Sequence, residues 1–316
     1  MNEIILRRAS SIIFSYLNSI EDDYTVLIPA NICPIVFLTI IKAKKKVKII
    51  NINNFFEMNL EYAEDYIHKV KGRAVIIFVR PYGYINENKD LDNLKENFQD
   101  LKIIDDRCLC RPDLTYSSIF NFADLTLFST GYSKYVELSY GGGLGLIKGN
   151  NLKPIQDIKF EQDNLEIQMN RIKNSLRDKR KFEYIDSNWL DCNVMDISID
   201  TYKNDIKEKI NTIDRHKEKI NKIYFDNLNS ICEIDEKYNN WRFNIIVENA
   251  VELEKFIFKN GFYASRHYSD ISCLLDKEKC KITSKYNYKM INLFNDFHIT
   301  EEQAHDLSLH IRRFLR

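Results

Sequence analysis

Residues 129–146 read STGYSKYVELSYGGGLGL, and this stretch decides how the rest of the chain is read. Ser129 closes an apolar run of β character (Leu125, Leu127, Phe128), Lys134 follows five positions later, and three glycines, Gly141 to Gly143, come after it. A lysine amine in such a place can form a Schiff base with a cofactor aldehyde once desolvation or a nearby cation keeps part of it unprotonated at neutral pH. Ser129 offers a hydroxyl to an anionic group. The glycines allow close backbone approach or a turn through positive φ. Taken alone, such a cluster is more often a solvated loop.

Working outward, strands and helices alternate. Apolar runs at Thr25–Ile28, Val47–Ile52, Ala74–Val79, Leu101–Ile104 and Asp124–Phe128 read as strands. Between them, helical spacing predicts helices over residues 7–19, Pro34–Ile41 (with proline at the first helical position), Leu60–Val70 and Asp90–Phe98. Strands apolar on both faces imply a parallel or mostly parallel sheet covered on both sides, an α/β fold. Ligands of such sheets gather at the carboxyl ends of the strands, which singles out Asn31, Tyr82, Asp105, Asp106 and Ser129. The basic cluster Lys42, Lys44, Lys45 and Lys46 reads as a solvated helix end beside favourable carbonyl dipoles.

The second half changes character. Residues 154–182 are charged and predicted mostly helical, and apolar positions from Tyr202 to Leu228 keep a helical period over one long linking helix from about Ile197. A strand over Trp241–Val247, a helix over Val251–Asn260 closed by Gly261, a strand over Tyr288–Leu293 and a final helix capped by Thr300 with Gln303 form a smaller α+β unit. The expected domains are 1–195 and 196–316.

With 316 residues the chain can bury a large core, and 46 basic residues balance 46 acidic ones. Zero net charge removes any global argument for nucleic acid or an anionic membrane as partner. No apolar run is long enough to cross a bilayer, and MNEIILRRASS lacks the core of a signal peptide, so a cytoplasmic location is expected. Seven cysteines, with Cys108 and Cys110 one residue apart, fit neither a disulfide framework nor a zinc knuckle and read as reduced thiols. No metal is expected.

Asp105 and Asp106 close the strand KIID, and Asp106 stands twenty-eight positions before Lys134. An aspartate there can keep a pyridinium nitrogen protonated, which makes a pyridoxal ring an electron sink. By itself it is more often a helix cap or an Asx-turn.

In order, RRAS (from Arg7), LIPANICP (from Leu27), VRPYGY (from Val79), KIIDDRC (from Lys102), LFSTGYSK (from Leu127) and YGGGLGL (from Tyr140) resemble the DegT/DnrJ/StrS family of pyridoxal-phosphate-dependent sugar aminotransferases. The resemblance implies fold type I, with a mostly parallel central sheet and a smaller C-terminal α+β domain. It implies pyridoxal 5'-phosphate as cofactor and an aminotransferase moving an amino group, expected from glutamate, to a keto sugar or nucleotide-linked keto sugar in surface-polysaccharide or secondary-metabolite biosynthesis. By position, Lys134 is the covalent cofactor lysine and proton carrier, Asp106 the pyridinium partner and Ser129 a phosphate ligand. Arg8, Ala9 and Ser10 fall at the family's phosphate grip, and Cys33 and Cys108 among its cofactor contacts. Asn193, in LDCNVMDIS, falls where the family reaches the phosphate of a neighbouring subunit, so a homodimer with shared sites is implied. Tyr82, His267 and Tyr268, the last two in SRHYSD, fall near the substrate.

The chain departs from the family pattern in several places. Arg7 replaces the grip's glycine, Cys33 replaces a stacking ring, and Arg107, Cys108 and Leu109 replace small residues followed by Gln or His. No arginine follows Asn193, and the sequence begins close to the grip, where members carry a further N-terminal segment. These departures keep two alternatives open: a dehydratase or other pyridoxal-phosphate enzyme of the same fold, and a degenerate homologue acting as a binding subunit.

Overall fold

The computed structural model describes residues 2–149, 152–155, 159–228, 235–275 and 288–316. In chain order the elements are β1 (Asn2–Leu6), α1 (Ala9–Asn18), β2 (Thr25–Pro29), α2 (Pro34–Lys42), β3 (Lys46–Ile50), α3 (Leu60–Lys69) and β4 (Ala74–Val79). They continue with α4 (Lys89–Asn97), β5 (Lys102–Asp106), β6 (Leu125–Ser129), β7 (Gly143–Ile147), α5 (Gln162–Arg177) and α6 (Ile199–Leu228). The last are β8 (Phe243–Ile246), α7 (Ala250–Lys259), β9 (Ala264–Ser265), β10 (Met290–Leu293) and α8 (Glu301–Phe314).

Seven strands form one sheet in the order β1-β7-β6-β5-β4-β2-β3. The five from β6 to β3 are parallel, and β7 is antiparallel to both of its neighbours. The sheet is α/β and mostly parallel, as the apolar runs predicted. On β4, Val75 and Ile77 pack with Ile12 and Phe37 beneath α1 and α2, whereas Ala74, Ile76 and Phe78 pack with Ala63 and Leu91 beneath α3 and α4. Both faces are covered, which is why these strands carry no polar alternation.

β1 and β7 were not expected. β7 reads GLGLI, and glycine usually marks loops; here Gly145 meets Ile12 and Ile4, each 2.9 Å from where its Cβ would stand, so α1 and β1 lie too close for a side chain. In the 154–182 stretch, predicted mostly helical, α5 covers Gln162–Arg177, and residues 156–158 of that prediction lie outside the described residues. One other expectation is corrected. Lys45 is no solvated helix-end charge: it is 6% exposed, and its Nζ donates to the carbonyls of Ile20 and Glu21 and pairs with Asp22 at 2.8 Å.

The second sheet has the order β8-β10-β9 and is antiparallel. α6 connects the two sheets: Tyr202, Ile206 and Ile210 pack with Phe128 and Leu144, while Ile220, Tyr224 and Leu228 pack with Phe243 and Ile291. Thirty residues give it a length of roughly 45 Å, enough to reach both. The capping box of Thr300 and Gln303 opens α8 as the sequence predicted.

Candidate active site

The carboxyl ends of β2, β4, β5 and β6 open onto a cavity of about 630 Å³, lined also by the first turn of α1 and by Tyr268. Arg8, Ala9, Ser10, Cys33, Asp106, Cys108, Ser129, Lys134 and Tyr268 all line it, so most of the candidate residues meet in one space.

Lys134 sits on a loop between β6 and β7 that is tied to itself. The Leu138 amide donates to the Thr130 carbonyl at 3.0 Å, and the Thr130 amide donates to the Gly142 carbonyl at 3.0 Å. Thr130 Oγ1 donates to the Gly141 carbonyl at 2.9 Å and lies 2.7 Å from the Tyr202 hydroxyl on α6. Gly141 and Gly142 have φ of +69° and +126°, a region closed to most side chains, and a Cβ on Gly142 would stand 2.8 Å from the Tyr202 ring. The Lys134 side chain makes no ion pair with any described residue and faces the cavity.

Asp106, 7% exposed, receives the Cys108 amide at 3.0 Å on Oδ1 and lines the cavity. Asp105 does not: it is fully buried, and its two oxygens take Arg80 Nε and Arg107 Nε, each at 2.7 Å. Both guanidinium groups lie over the Phe120 ring, at 5.0 and 5.1 Å. Burial pushes the Cys33 and Cys108 thiols up; for Cys33 the Lys134 charge opposes this and Asp106 adds to it, and for Cys108 Asp106 adds and Lys134 opposes. The two thiols therefore flank the lysine and the carboxylate in protonated form.

The amino end of α1 faces the cavity with Arg8 as its cap and no side-chain capping bond. The first amides of a helix have no partners within it, and with the helix dipole they favour an anion. Arg8 Nε is buried without a hydrogen-bond partner, burial lowers the guanidinium from its usual value, and the Asp191 charge opposes that. Gly143 permits this arrangement, because a Cβ there would stand 2.5 Å from both the N and Cα of Ala9. Ser129 completes the corner; its Oγ lies 3.4 Å from the Gly142 carbonyl.

Four candidates stand elsewhere. Tyr82 does not line the cavity: it packs against Phe56 and Tyr238, and its hydroxyl donates to the His267 carbonyl at 2.9 Å. His267 is not a surface histidine; its ring lies 5.4 Å from Trp241 and 4.9 Å from Tyr268, and burial, with Arg242 and Lys134 adding positive charge, lowers it to about 3. Asn193 is exposed in an adjoining depression with Arg7 and Asp196, and its side-chain amide donates to Asp191 at 2.7 Å. Asn31, a strand-end candidate, donates to the Phe56 carbonyl at 3.0 Å and serves the fold. Sequence reasoning missed Tyr132, Glu137 and Asp191, which also line the cavity, and no local pattern marks them.

The architecture is that of pyridoxal-phosphate enzymes of fold type I, the fold that the sequence resemblance implied. Solved structures similar to this chain include Spr1654 of Streptococcus pneumoniae in its PMP form, assigned as a sugar aminotransferase (TM-score 0.70, 15% identity, covering 98% of this chain and 87% of that one). A DegT/DnrJ/EryC1/StrS aminotransferase from Brucella abortus gives a TM-score of 0.69 at 15% identity, over 99% of this chain and 86% of that one. The GDP-4-keto-6-deoxy-D-mannose-3-dehydratase of E. coli with bound hydrated PLP gives 0.66 at 12% identity, over 100% of this chain and 88% of that one. At these identities the likeness is one of fold. No protein-family model and no curated protein sequence matches the chain.

Proposed function

We propose that this chain is a pyridoxal-phosphate-dependent aminotransferase that moves an amino group from glutamate to the keto group of a sugar or nucleotide-linked sugar. The observation that carries the reading is the meeting, in one cavity, of an amine without an ion-pair partner among the described residues (Lys134), a buried carboxylate (Asp106) and a helix amino end with a serine beside it (α1, Ser129). The donor set fits the cofactor: the buried, unpartnered Arg8 Nε and the close approach that Gly143 allows leave an anion-binding corner for a phosphate.

When bound, the cofactor supplies an aldehyde that links to an amine and a ring that accepts electrons. The Ser129 hydroxyl, the first amides of α1 and the Arg8 guanidinium would hold its phosphate. Asp106, oriented by the Cys108 amide, holds the proton on the ring nitrogen. Lys134 would hold the aldehyde, and its amine, when free, would be the group placed to carry a proton to or from the substrate carbon. Tyr268 lines the same cavity. We read the assembly as a homodimer, as the sequence resemblance implies, and gel filtration tests it.

Purified protein mixed with pyridoxal 5'-phosphate should gain visible absorbance and a borohydride-reducible adduct at Lys134, and glutamate should then discharge the visible band. Absence of the adduct would overturn the cofactor assignment. An adduct that glutamate leaves unchanged would overturn the transferase reading and favour another reaction of the same fold.

A further inference from the structure

Ser133, the residue before the cofactor lysine, has φ of +53°, a left-handed conformation that residues other than glycine seldom adopt. Every polar group it has is engaged. Its amide donates to Glu137 Oε2 at 2.6 Å, on its own loop. Its carbonyl accepts from Trp241 Nε1 at 2.7 Å. Its Oγ accepts from Arg242 Nη2 at 2.6 Å and lies 3.5 Å from Asp296 Oδ2. Trp241 and Arg242 lead into β8, and Asp296 follows β10, so three of the four partners come from the second sheet. Ser133 and these three are buried, between 3% and 6% exposed, and Glu137 is half-buried.

The clamp is itself held. The fully buried Lys217 of α6 donates to the Trp241 carbonyl at 2.8 Å and to Asn295 Oδ1 at 2.7 Å. The Arg242 guanidinium lies 4.5 Å from the Trp241 ring centroid and 3.8 Å from that of Phe294. Neither Trp241 nor Arg242 lines the cavity.

We propose that Trp241 and Arg242 are positioning residues: by holding Ser133 from the second sheet, they fix the direction in which the Lys134 amine enters the cavity. The proposal rests on the role given to Lys134 above. A peptide that is free to leave the left-handed region would swing the following side chain, and a displacement of about 1 Å at a reacting group can cost on the order of a hundredfold in rate.

Two variants loosen the clamp in different ways. Ser133→Gly keeps a backbone conformation that glycine adopts freely, so the fold tolerates it, but removes the hydroxyl that Arg242 holds. Trp241→Phe keeps a ring and removes the donor to the Ser133 carbonyl. With pyridoxal 5'-phosphate bound, both should retain the reducible adduct at Lys134, while the pH midpoint of its visible absorbance moves by about one unit, a tenfold change in the equilibrium. A midpoint equal to that of the unsubstituted protein in both variants would overturn the proposal. A second readout needs no cofactor: acetic anhydride labelling of Lys134 relative to exposed lysines, followed by mass spectrometry. A severalfold change in the variants supports the clamp, and unchanged labelling in both overturns it, even if the unsubstituted protein takes up no cofactor.

Discussion

Asp105 and Asp106 are neighbours on β5 and serve opposite faces of the sheet: Asp105 is fully buried between Arg80 and Arg107, while Asp106 lines the cavity. Alternation along a strand separates them, so one carboxylate builds the fold and the other the site. Substitution should separate the two roles. Asp105→Asn leaves two buried guanidinium groups under-compensated and should lower unfolding free energy by about 3–5 kcal/mol, measured by urea denaturation. Asp106→Asn should unfold near the unsubstituted protein and lose the spectrum of bound pyridoxal phosphate. Equal stability loss in both would contradict the division.

Ser129 gives a test of the phosphate corner. A hydrogen bond to a charged group contributes about 1.5–3 kcal/mol, so Ser129→Ala should bind pyridoxal 5'-phosphate roughly ten- to a hundredfold more weakly in a spectroscopic titration. Pyridoxal, which lacks the phosphate, should bind both proteins alike; a parallel loss for pyridoxal would place Ser129 elsewhere in the site.

Gly143 tests the approach of β7 to α1. The methyl of Gly143→Ala would stand 2.5 Å from the Ala9 backbone, which cannot move away as a flexible side chain could. Stability should fall by about 1–3 kcal/mol, and cofactor affinity with it, because the first turn of α1 must shift. Gly149, with nothing within 4 Å of its Cβ position, has a φ of +95°, so its substitution tests backbone conformation without a clash. An affinity loss at Gly149 equal to that at Gly143 would remove the packing argument.

Those glycines also show where the sequence could be read and where it could not. β2, β4, β5 and β6 were legible because β-branched runs apolar on both faces have few other homes. β7 was not, since its glycines answer to contacts with Ile12 and Ala9, residues more than a hundred positions away. The site divides in the same way. Lys134, Asp106, Ser129 and the amino end of α1 follow strand ends or open a helix, positions that topology makes predictable. The hold of Trp241 and Arg242 on Ser133 joins segments 108 and 109 residues apart through side chains with no local pattern. Tyr82 was chosen by its strand-end position, but its left-handed φ of +50° and its packing with Phe56 and Tyr238 place it outside the cavity lining.

His267 is one group through which acid should lower stability. Burial, then the charges of Arg242 and Lys134, lower it to about 3 in the folded protein, against an ordinary value near 6.5 in the unfolded chain. A group lowered on folding binds its proton first in the unfolded state, so stability falls as pH drops below about 6.5 and levels off only near 3. At pH 5 the loss from this residue should approach about 2 kcal/mol. Lys217, lowered to about 7 by burial against an ordinary 10.5, acts in a separate window: its cost grows as pH falls from about 10.5 to 7 and is constant below that. Between pH 7 and 5 the two therefore do not mix. Urea midpoints at these two pH values should show a smaller drop for His267→Gln than for the unsubstituted protein, and an identical drop would mean that the imidazole takes up its proton without leaving its place beside Trp241.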